Sequence, residues 1–430
     1  MSAFACAPSC GSEEGVGWNW AVQAASRGHD VHVVTQHMHR AEIEAELARR
    51  PVEGLTFHYL TVNDAWDRVK NNWTNYSLVS YYYAWQIKLR GLAKRLHEAE
   101  RFDIVQHVTY VQDWTPSGLM DIPAPFIWGP VGGSANVLPA SITNGDMDWP
   151  AYALRFERSR RLMQEGLKRF DPFVRRTMAK ADRILIYTEN GVDVVPARFR
   201  QKARPIVHIG VSDFDIPASA ARAETVDLQQ PFQIMTGGRL VHWKGIDLLI
   251  EGFARFLTAV PEAAASGARL LVTGKGDYQP HLQALVERLG LTGHVDFLGF
   301  LPTRDDLYMA MTACDVFALP TLRDGPPVGI LEAMFAGLPI LCLDHGATRE
   351  LVPRFAGHLV PPVGRDGTVQ GIANALAQGY RDRAALWAKG HKAQAHVTDV
   401  HHWDRIGDAA EQHYQEVLAA PSPQRVRLSA

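Results

Sequence analysis

Short apolar runs typical of strands alternate with helical stretches along the chain, in two series separated by a polar segment near residues 210–230. Strands that alternate with helices form parallel sheets, because a parallel partner is reached only through a crossover connection. The pattern therefore predicts an α/β protein with two doubly wound, Rossmann-like domains. The predicted strands of the first series cover residues 2–7, 30–36, 102–108, 124–129, 183–188 and 205–210, and those of the second cover 232–238, 269–276, 294–300, 315–320 and 338–344.

The two series predict two domains. The chain has 430 residues, which suits two domains of about 200 residues each. We predict an N-terminal domain over residues 1–210 and a C-terminal domain over residues 211–397. The stretch after the second series reads as an amphipathic helix. We expect this C-terminal helix, residues 398–420, to pack back on the N-terminal domain.

The bulk composition excludes several classes of protein. A net charge of −2 gives the whole chain no attraction to nucleic acid, so no nucleic-acid partner is expected. No run of 18 apolar residues is present, so no segment is expected to span a membrane. The four cysteines are scattered, and the first residues lack the basic segment and apolar core of a signal peptide. A cytoplasmic location is therefore expected.

A loop rich in glycine and cations follows the first strand of the second series. Gly238 ends that strand, and Arg239 and Lys244 stand in the loop between it and a helix predicted to begin near Gly245. Arginine can bind two phosphate oxygens at once, and a helix N-terminus adds partial positive charge, so this spacing suits a diphosphate. Solvated surface cations are the alternative. A second glycine-rich turn, with Gly274, follows the next strand.

The N-terminal turn is also rich in glycine. Gly15 and Gly17 stand where this turn leads into a helix predicted over residues 17–26, and they would let the backbone approach a ligand closely. The Gly-x-Gly-x-x-Gly spacing of a dinucleotide-binding fingerprint is absent, and the second strand does not end in an acid. These two observations argue against a nicotinamide-dependent dehydrogenase.

Two acids flank a junction between loop and helix at residues 321–339. Asp324 precedes a Gly-Pro-Pro sequence, and Glu332 lies within the helix that follows. The prolines lack a backbone N–H, which leaves Val328 and Gly329 as the donors of the first helical turn. The sequence therefore places two carboxylates and two backbone donors around one junction.

Five motifs of the second series follow in order: GGRLVHWKG, LLVTGKGD, VDFLGFL, DVFALPTLRDG and ILEAMFAGLPILCLD. Together they resemble the retaining glycosyltransferases of family 4, which belong to the group called glycosyl transferases group 1. The resemblance covers residues 232–363 densely and the first half of the chain more loosely. It implies the GT-B fold, in which two Rossmann-like domains face each other across a cleft.

The resemblance also implies which residues bind a nucleotide-sugar donor. Arg239 and Lys244 match the basic pair that neutralises the donor diphosphate. Glu332 matches the acid that holds the ribose, and Asp324 stands where an acid usually contacts the sugar. The nucleotide base is expected near Phe300 and Leu301, and the diphosphate and sugar near the N-terminal glycines. The donor-binding residues expected are Gly15, Val16, Gly17, Gly238, Arg239, Lys244, Gly274, Phe300, Leu301, Asp324, Gly325, Val328, Gly329 and Glu332.

In this family, the acceptor is thought to attack the face of the sugar from which the leaving group departs. The departing nucleoside diphosphate gains negative charge, which positioned cations stabilise without a metal or a cofactor. Two Asp-x-Asp sequences, at residues 146–148 and 213–215, do not end long apolar strands, so no metal role is assigned to them. The residues expected in catalysis are Arg239, Lys244, Asp324 and His107.

Three departures from the family pattern bear on these roles. Aspartate replaces the usual glutamate at position 324, which shortens its reach by one methylene. Two prolines replace an aromatic–glycine pair just before Val328. Many relatives carry a histidine at the end of the strand where Trp128 stands here. His107, on the neighbouring strand, could take part of that role, and a histidine of the core is the alternative.

The expected activity is transfer of a sugar from a UDP-, GDP- or ADP-sugar to a glycan, glycolipid or small-molecule acceptor, as in polysaccharide biosynthesis. The alternative is a catalytically degenerate protein that binds nucleotide sugars or serves as a scaffold. Two basic, aromatic runs, at residues 73–96 and 154–183, could reach a lipid-linked acceptor at the inner face of a membrane, as peripheral contacts. Ordinary packed helices with solvated cations are the alternative for these runs.

Overall fold

The chain divides into two compact units in the computed structural model. Unit 1 comprises Met1–Ala135, Leu154–Ile209 and Trp403–Ala430, and unit 2 comprises Asn136–Ala153 and Gly210–His402. The structure describes residues 1–8, 11–63, 75–132, 138–143, 147, 149–187, 189–211, 227 and 229–420. Most of the predicted break at residues 210–230, and residues 73 and 74 of the first basic run, lie outside these ranges.

The division differs from the predicted boundaries at two places. Asn136–Ala153, predicted in the N-terminal domain, belongs to unit 2. The physical reason is burial, because Ile142 and Trp149 join the apolar core of unit 2. The chain then returns to unit 1 at Trp403 rather than at residue 398.

The sheet of unit 1 has seven parallel strands in the order β3-β2-β1-β4-β5-β6-β7. The strand order reverses beside β1, so the crevice at the carboxyl ends of β1 and β4 is the topological switch point, where open α/β sheets bind ligands. The strands are β1 Ser2–Ala3, β2 Val31–Gln36, β3 Leu55–Leu60, β4 Val105–Thr109, β5 Phe126–Val131, β6 Arg183–Ile186 and β7 Ala203–Pro205.

The sheet of unit 2 has six parallel strands in the order β10-β9-β8-β11-β12-β13. Its switch point lies between β8 and β11. β11 and β12 are buried along their whole length, as expected for strands covered by helices on both faces. The strands are β8 Gln233–Thr236, β9 Arg269–Thr273, β10 Val295–Gly299, β11 Val316–Leu319, β12 Ile340–Leu343 and β13 Gly357–Val360.

Helices connect the strands of both sheets, and several of them bury apolar side chains in the core of a unit. In unit 2, for example, Phe253 and Phe256 of one helix are fully buried. The helices are α1 Ser12–Ala25, α2 Arg40–Arg49, α3 Asn75–Glu100, α4 Ala140–Thr143, α5 Ala151–Phe170, α6 Pro172–Lys180, α7 Ile246–Ala259, α8 Pro261–Ala265, α9 Gln279–Arg288, α10 Arg304–Thr312, α11 Val328–Phe335, α12 Gly346–Leu351, α13 Gly364–Arg381, α14 Arg383–Val400 and α15 Trp403–Ala419.

The C-terminal helix α15 packs on α1 and β4 of unit 1 through a buried chain of hydrogen bonds. Trp20 donates its indole N–H to the Tyr414 hydroxyl at 3.0 Å, and that hydroxyl donates to Gln106 at 2.6 Å. Burial raises the pKa of the Tyr414 hydroxyl, which therefore stays protonated as a donor. An ion pair between Arg27 and Asp408, at 2.6 Å, closes the exposed side of the contact.

The sequence missed the outer strands β3 and β13. Both lie at an edge of their sheet, and most of their residues are only partly buried. They therefore lack the continuous apolar run that identifies a strand buried on both faces. The last strand of the first series is also displaced, because β7 begins at Ala203 rather than at residue 205.

Candidate active site

Two loops meet at the switch point of unit 2, one after β8 and one after β11. The N–H of Leu322 donates to the carbonyl oxygen of Trp243 at 2.8 Å, and the hydroxyl oxygen of Thr321 lies 3.2 Å from the same carbonyl oxygen. Gly245, at φ 66°, ends the first loop, and a Cβ there would lie 2.2 Å from the carbonyl oxygen of Pro320. Only glycine allows the two loops to approach this closely.

The contact between the loops joins two of the predicted donor-binding residues. The Lys244 ammonium lies 2.7 Å from a carboxylate oxygen of Asp324, and the Thr321 hydroxyl donates to the same oxygen at 2.7 Å. The lysine and aspartate side chains are only 16% and 21% exposed. The cation expected at the diphosphate and the acid expected at the sugar are therefore direct partners.

Two arginines lie against the ring of Trp243 in the same place. The guanidinium carbon of Arg323 lies 4.3 Å from the ring centroid, and that of Arg239 lies 5.4 Å from it, both within the range of cation–π contacts. Arg239 itself is exposed. The sequence analysis missed Arg323, although it stands directly before Asp324. Two arginines therefore lie against the tryptophan that directly precedes Lys244.

Close glycine contacts bring the loops after β8, β9 and β10 together. A Cβ on Gly274 would lie 1.9 Å from the carbonyl oxygen of Gly238, so these two backbones pack directly on each other. The N–H of Gly274 also donates to the carbonyl oxygen of Gly299 at 2.6 Å. Phe300 follows with 74% of its surface exposed, and Leu301 is half-buried. Phe300 is therefore open to contact with a planar ligand.

Glu332 lies one turn inside α11 and is held by a residue that the sequence analysis missed. A guanidinium nitrogen of Arg304, the first residue of α10, lies 3.2 Å from the Glu332 carboxylate, which is 12% exposed. Pro327 is the residue before the helix, as the sequence predicts, and Val328 begins it. The predicted donor-binding residues Gly325, Val328 and Gly329 are half-buried around this helix start.

The N-terminal glycines differ in structure from the prediction. Gly15, Val16 and Gly17 lie within α1, which begins at Ser12, and are buried rather than part of a loop. A Cβ on Gly17 would lie 2.2 Å from the carbonyl oxygen of Ala5. This glycine therefore lets α1 pack closely on the segment after β1, a role in packing that its position in the sequence did not reveal.

His107 lies inside the core of unit 1. The ring is fully buried, and its Nε2 lies 3.1 Å from the Tyr82 hydroxyl. Burial lowers the pKa of His107 to about 3, so the ring is neutral near pH 7. Trp128 of the neighbouring strand β5 is also buried. This placement favours the alternative of a core histidine.

Glu13, which the sequence analysis missed, lies at the switch point of unit 1. Its carboxylate accepts a hydrogen bond from the N–H of Tyr110 at 3.1 Å, just beyond β4. Burial raises the pKa of Glu13 to about 7, against the opposing effect of this hydrogen bond. Ser12 and Tyr110 both adopt left-handed backbone conformations, with φ of 62° and 56°. Such strain is concentrated at functional sites.

Other expectations can be placed only in part. Among the described residues, no group of three or more His, Cys, Asp or Glu side chains could hold a metal ion. The carboxylates of both Asp-x-Asp sequences, at residues 146, 148, 213 and 215, lie outside the described residues. Within the described part of the chain, no helix is both long and apolar enough to cross a membrane.

Comparison with known proteins matches most of unit 2 to the group of glycosyltransferases that its sequence motifs resemble. Residues 220–393 match the family model described as glycosyl transferases group 1. The comparisons support a glycosyltransferase. The chain is 32% identical over 203 residues to a GDP-mannose-dependent α-(1-6)-phosphatidylinositol monomannoside mannosyltransferase of Mycobacterium tuberculosis, which covers 44% of this chain and 50% of the relative. It is 28% identical over 247 residues to a 2-deoxystreptamine glucosyltransferase of Streptomyces kanamyceticus, which covers 56% and 62%.

Solved structures show the fold over nearly the whole chain. HepE of Anabaena in complex with UDP has a TM-score of 0.60 at 17% identity, and the match covers 95% of this chain and 98% of HepE. Sucrose-phosphate synthase of Thermosynechococcus elongatus has a TM-score of 0.61 at 16% identity and covers 97% and 96%. The predicted α/β class and GT-B fold are confirmed. The chain spans between about half and two thirds of the length of the curated relatives it matches first.

Proposed function

We propose that the protein is a retaining glycosyltransferase of family 4 that acts without a metal or a cofactor. It transfers a sugar from a nucleoside-diphosphate donor to a glycan, glycolipid or small-molecule acceptor, in cytoplasmic assembly of polysaccharide or glycolipid. The observation that carries the proposal is a cluster of cations at the switch point of unit 2, where Lys244 pairs with Asp324 and where Arg239 and Arg323 lie against Trp243. Preorganised cations stabilise the negative charge that develops on a departing diphosphate.

The donor would lie along the carboxyl edge of the unit 2 sheet. Lys244 and Arg239 would bind the diphosphate, Glu332 would hold the ribose hydroxyls, and the base would contact the exposed ring of Phe300. Arg304 fixes the carboxylate of Glu332, so that its orientation is set before the donor binds. HepE is described in complex with UDP, and the mycobacterial relative is named GDP-mannose-dependent. UDP-, GDP- and ADP-sugars are therefore the donors to test.

The test begins with thermal shifts of the full chain in UDP, GDP and ADP, followed by their sugars. The expected result is stabilisation by one nucleotide, which is lost in Lys244→Ala and kept in Lys392→Ala, an exposed control lysine on α14. Donor turnover is then measured with and without EDTA, and the anomeric configuration of the product is read by NMR. Inversion of configuration, or turnover that stops in EDTA, would contradict the proposed mechanism.

The second candidate is a degenerate protein that binds nucleotide sugars without transfer. Two observations favour it: Lys244 is already paired with Asp324, and two prolines remove backbone donors just before Val328. Nucleotide binding without hydrolysis or transfer, for every donor tested, would support this candidate. Turnover that depends on Lys244 would exclude it.

A further inference from the structure

Large apolar side chains are exposed on one side of unit 1. Leu154 and Leu162 of α5, Phe170 at its end and Phe173 of α6 are between 50% and 74% exposed, and Ile87 of α3 is 73% exposed. Single exposed apolar residues are common on protein surfaces and need no explanation. Five on three neighbouring helices raise the question of whether they form one surface.

Two contacts between α3 and the α6 region show that these residues are neighbours. The Tyr83 hydroxyl donates to Asp171, the N-cap of α6, at 2.6 Å. Two turns further along α3, Arg90 pairs with Asp121, and Asp121 also pairs with Arg176 of α6. Ile87 lies between Tyr83 and Arg90 on the same face of α3, because residues four and seven apart share a helix face. Ile87 therefore borders the start of α6.

The helix α5 presents its opposite faces to different environments. Ala153 and Glu157 mark the buried face of this helix, and Lys168, at the edge of that face, pairs with the buried carboxylate of Asp113 at 2.7 Å. On the other face, Arg155, Arg158 and Leu162 follow at spacings of three and four residues, and Arg169 lies seven residues beyond Leu162. This spacing forms one exposed stripe that combines arginines with an apolar side chain.

The charge of this surface is strongly positive. Residues 154–180 expose seven cations and one acid, Glu165. The chain as a whole has a net charge of −2, so the surface departs from the average of the molecule. The exposed cations are Arg155, Arg158, Arg161, Arg169, Arg175, Arg176 and Lys180.

We propose that this surface, formed by α5 from Leu154 onward, α6 and Ile87 of α3, docks on an anionic lipid bilayer. The leucine, isoleucine and phenylalanine side chains enter the boundary between headgroups and acyl chains, while the arginines bind lipid phosphates. A nucleic acid would also attract the arginines, but it would offer nothing to five exposed apolar side chains. The proposal does not depend on sugar transfer, because it rests on unit 1 and not on the residues placed at the donor.

The test is sedimentation of the full chain with vesicles of phosphatidylcholine, with and without about one third phosphatidylglycerol. We expect binding to the anionic vesicles only, weakened at least tenfold by raised salt. Phe170→Ser with Phe173→Ser, and Arg155→Glu with Arg158→Glu, should each weaken binding at least tenfold. Matched controls on unit 2, Phe355→Ser with Val363→Ser and Arg381→Glu with Lys392→Glu, should bind like wild type.

A second measurement needs no variant and so covers the case in which a variant does not fold. Hydrogen exchange of the wild-type chain with anionic vesicles should be slowed over residues 154–180 and near Ile87. The proposal is overturned if the anionic vesicles do not bind, or if protection appears elsewhere. A second result would also overturn it: heparin binds as tightly as the vesicles, and the phenylalanine variants bind heparin and vesicles like wild type. The partner of this surface would then be a soluble polyanion rather than a bilayer.

Discussion

The two units present different chemistry at the same topological position. The switch point of unit 2 holds cations and carboxylates that contact one another across two loops, as in the pair of Lys244 and Asp324. At the switch point of unit 1, the Glu13 carboxylate accepts a hydrogen bond from the backbone N–H of Tyr110, and His107 is buried in β4 nearby in the chain. Strand order creates a crevice at both points, so the difference lies in the loops and side chains that line it.

This difference predicts how the units respond to substitution. Lys244 and Asp324 are partly buried, but they lie at the carboxyl edge of the sheet, where a charged ligand can reach them. A buried histidine with a buried hydrogen-bond partner contributes to folding instead. Substitutions in unit 2 should therefore affect binding and transfer, and substitutions at His107 should affect the free energy of unfolding.

The largest effect is expected for Lys244→Ala. Removing one preorganised cation from a departing diphosphate should lower kcat/KM for donor turnover by about 10²–10³-fold. The melting temperature should fall by only a few degrees, because Asp324 keeps its hydrogen bond from the Thr321 hydroxyl when the lysine is removed. Steady-state kinetics and thermal unfolding measure the two quantities, with Lys392→Ala as the matched control. A kcat/KM close to that of wild type would contradict the proposal that the loop after β8 binds the diphosphate.

A smaller loss is expected for Asp324→Asn. The substitution removes a carboxylate expected at the sugar and releases Lys244 from its partner, so kcat/KM for the donor should fall about tenfold or more, while the affinity for the free nucleoside diphosphate is unchanged or raised. Calorimetric titration of the nucleotide, beside donor kinetics, separates these effects. Equal losses of nucleotide and donor affinity would mean that Asp324 supports the loop through Thr321 instead.

His107→Phe should change stability and leave chemistry nearly unaltered. The Tyr82 hydroxyl would lose one of its hydrogen bonds in the core and keep those with Thr115 and Gln86, which costs about 1 kcal/mol in the free energy of unfolding. Urea unfolding measures that change, and kcat/KM at temperatures where the variant is folded should stay within a few-fold of wild type. A large loss of turnover with intact stability would instead support the catalytic role expected for His107.

The smallest effect concerns the pH dependence set by Glu13. Its pKa in the folded protein is raised to about 7, so the folded state holds this proton more tightly than the unfolded state. The resulting stabilisation is complete at acidic pH, below the pKa of the unfolded chain, and is lost as pH rises through 7. Between pH 6.5 and 8, wild type should lose about 1 kcal/mol of stability relative to Glu13→Gln. If the free energy of unfolding changed equally with pH in the two proteins over this range, the raised pKa of Glu13 would be contradicted.

Much of the fold follows from local pattern. The runs FALP and ILCL predict β11 and β12, because strands buried on both faces need continuous apolar sequence. The edge strands β3 and β13 lack that signal, since no residue of β3 and only two of the four residues of β13 are buried, and polar residues interrupt both runs. The start of α1 at Ser12 was also missed, because glycines usually indicate a turn, and here Gly17 is required by contact with Ala5.

Most residues of the candidate site could be predicted from the sequence, but the contacts between them could not. Arg239, Lys244, Asp324 and Glu332 stand in motifs whose spacing is readable, whereas Arg304 and Arg323 are arginines that no local pattern distinguishes. Lys244 and Asp324 are 80 residues apart, and their 2.7 Å contact depends on the close approach of Gly245 to Pro320. Such approaches arise only after two loops have packed.

The sequence by itself determined the two series of parallel strands, the charged loops at the ends of β8 and β11, and the proline-led start of α11. These features depend on residues near one another in the chain, through apolar runs, glycine and proline. Only the tertiary structure decided that Lys244 binds Asp324, that Arg304 holds Glu332, that His107 is enclosed, and that Glu13 meets Tyr110. Each of these depends on which strands are neighbours, and a pKa or an ion pair is set by the groups that folding brings within a few ångströms.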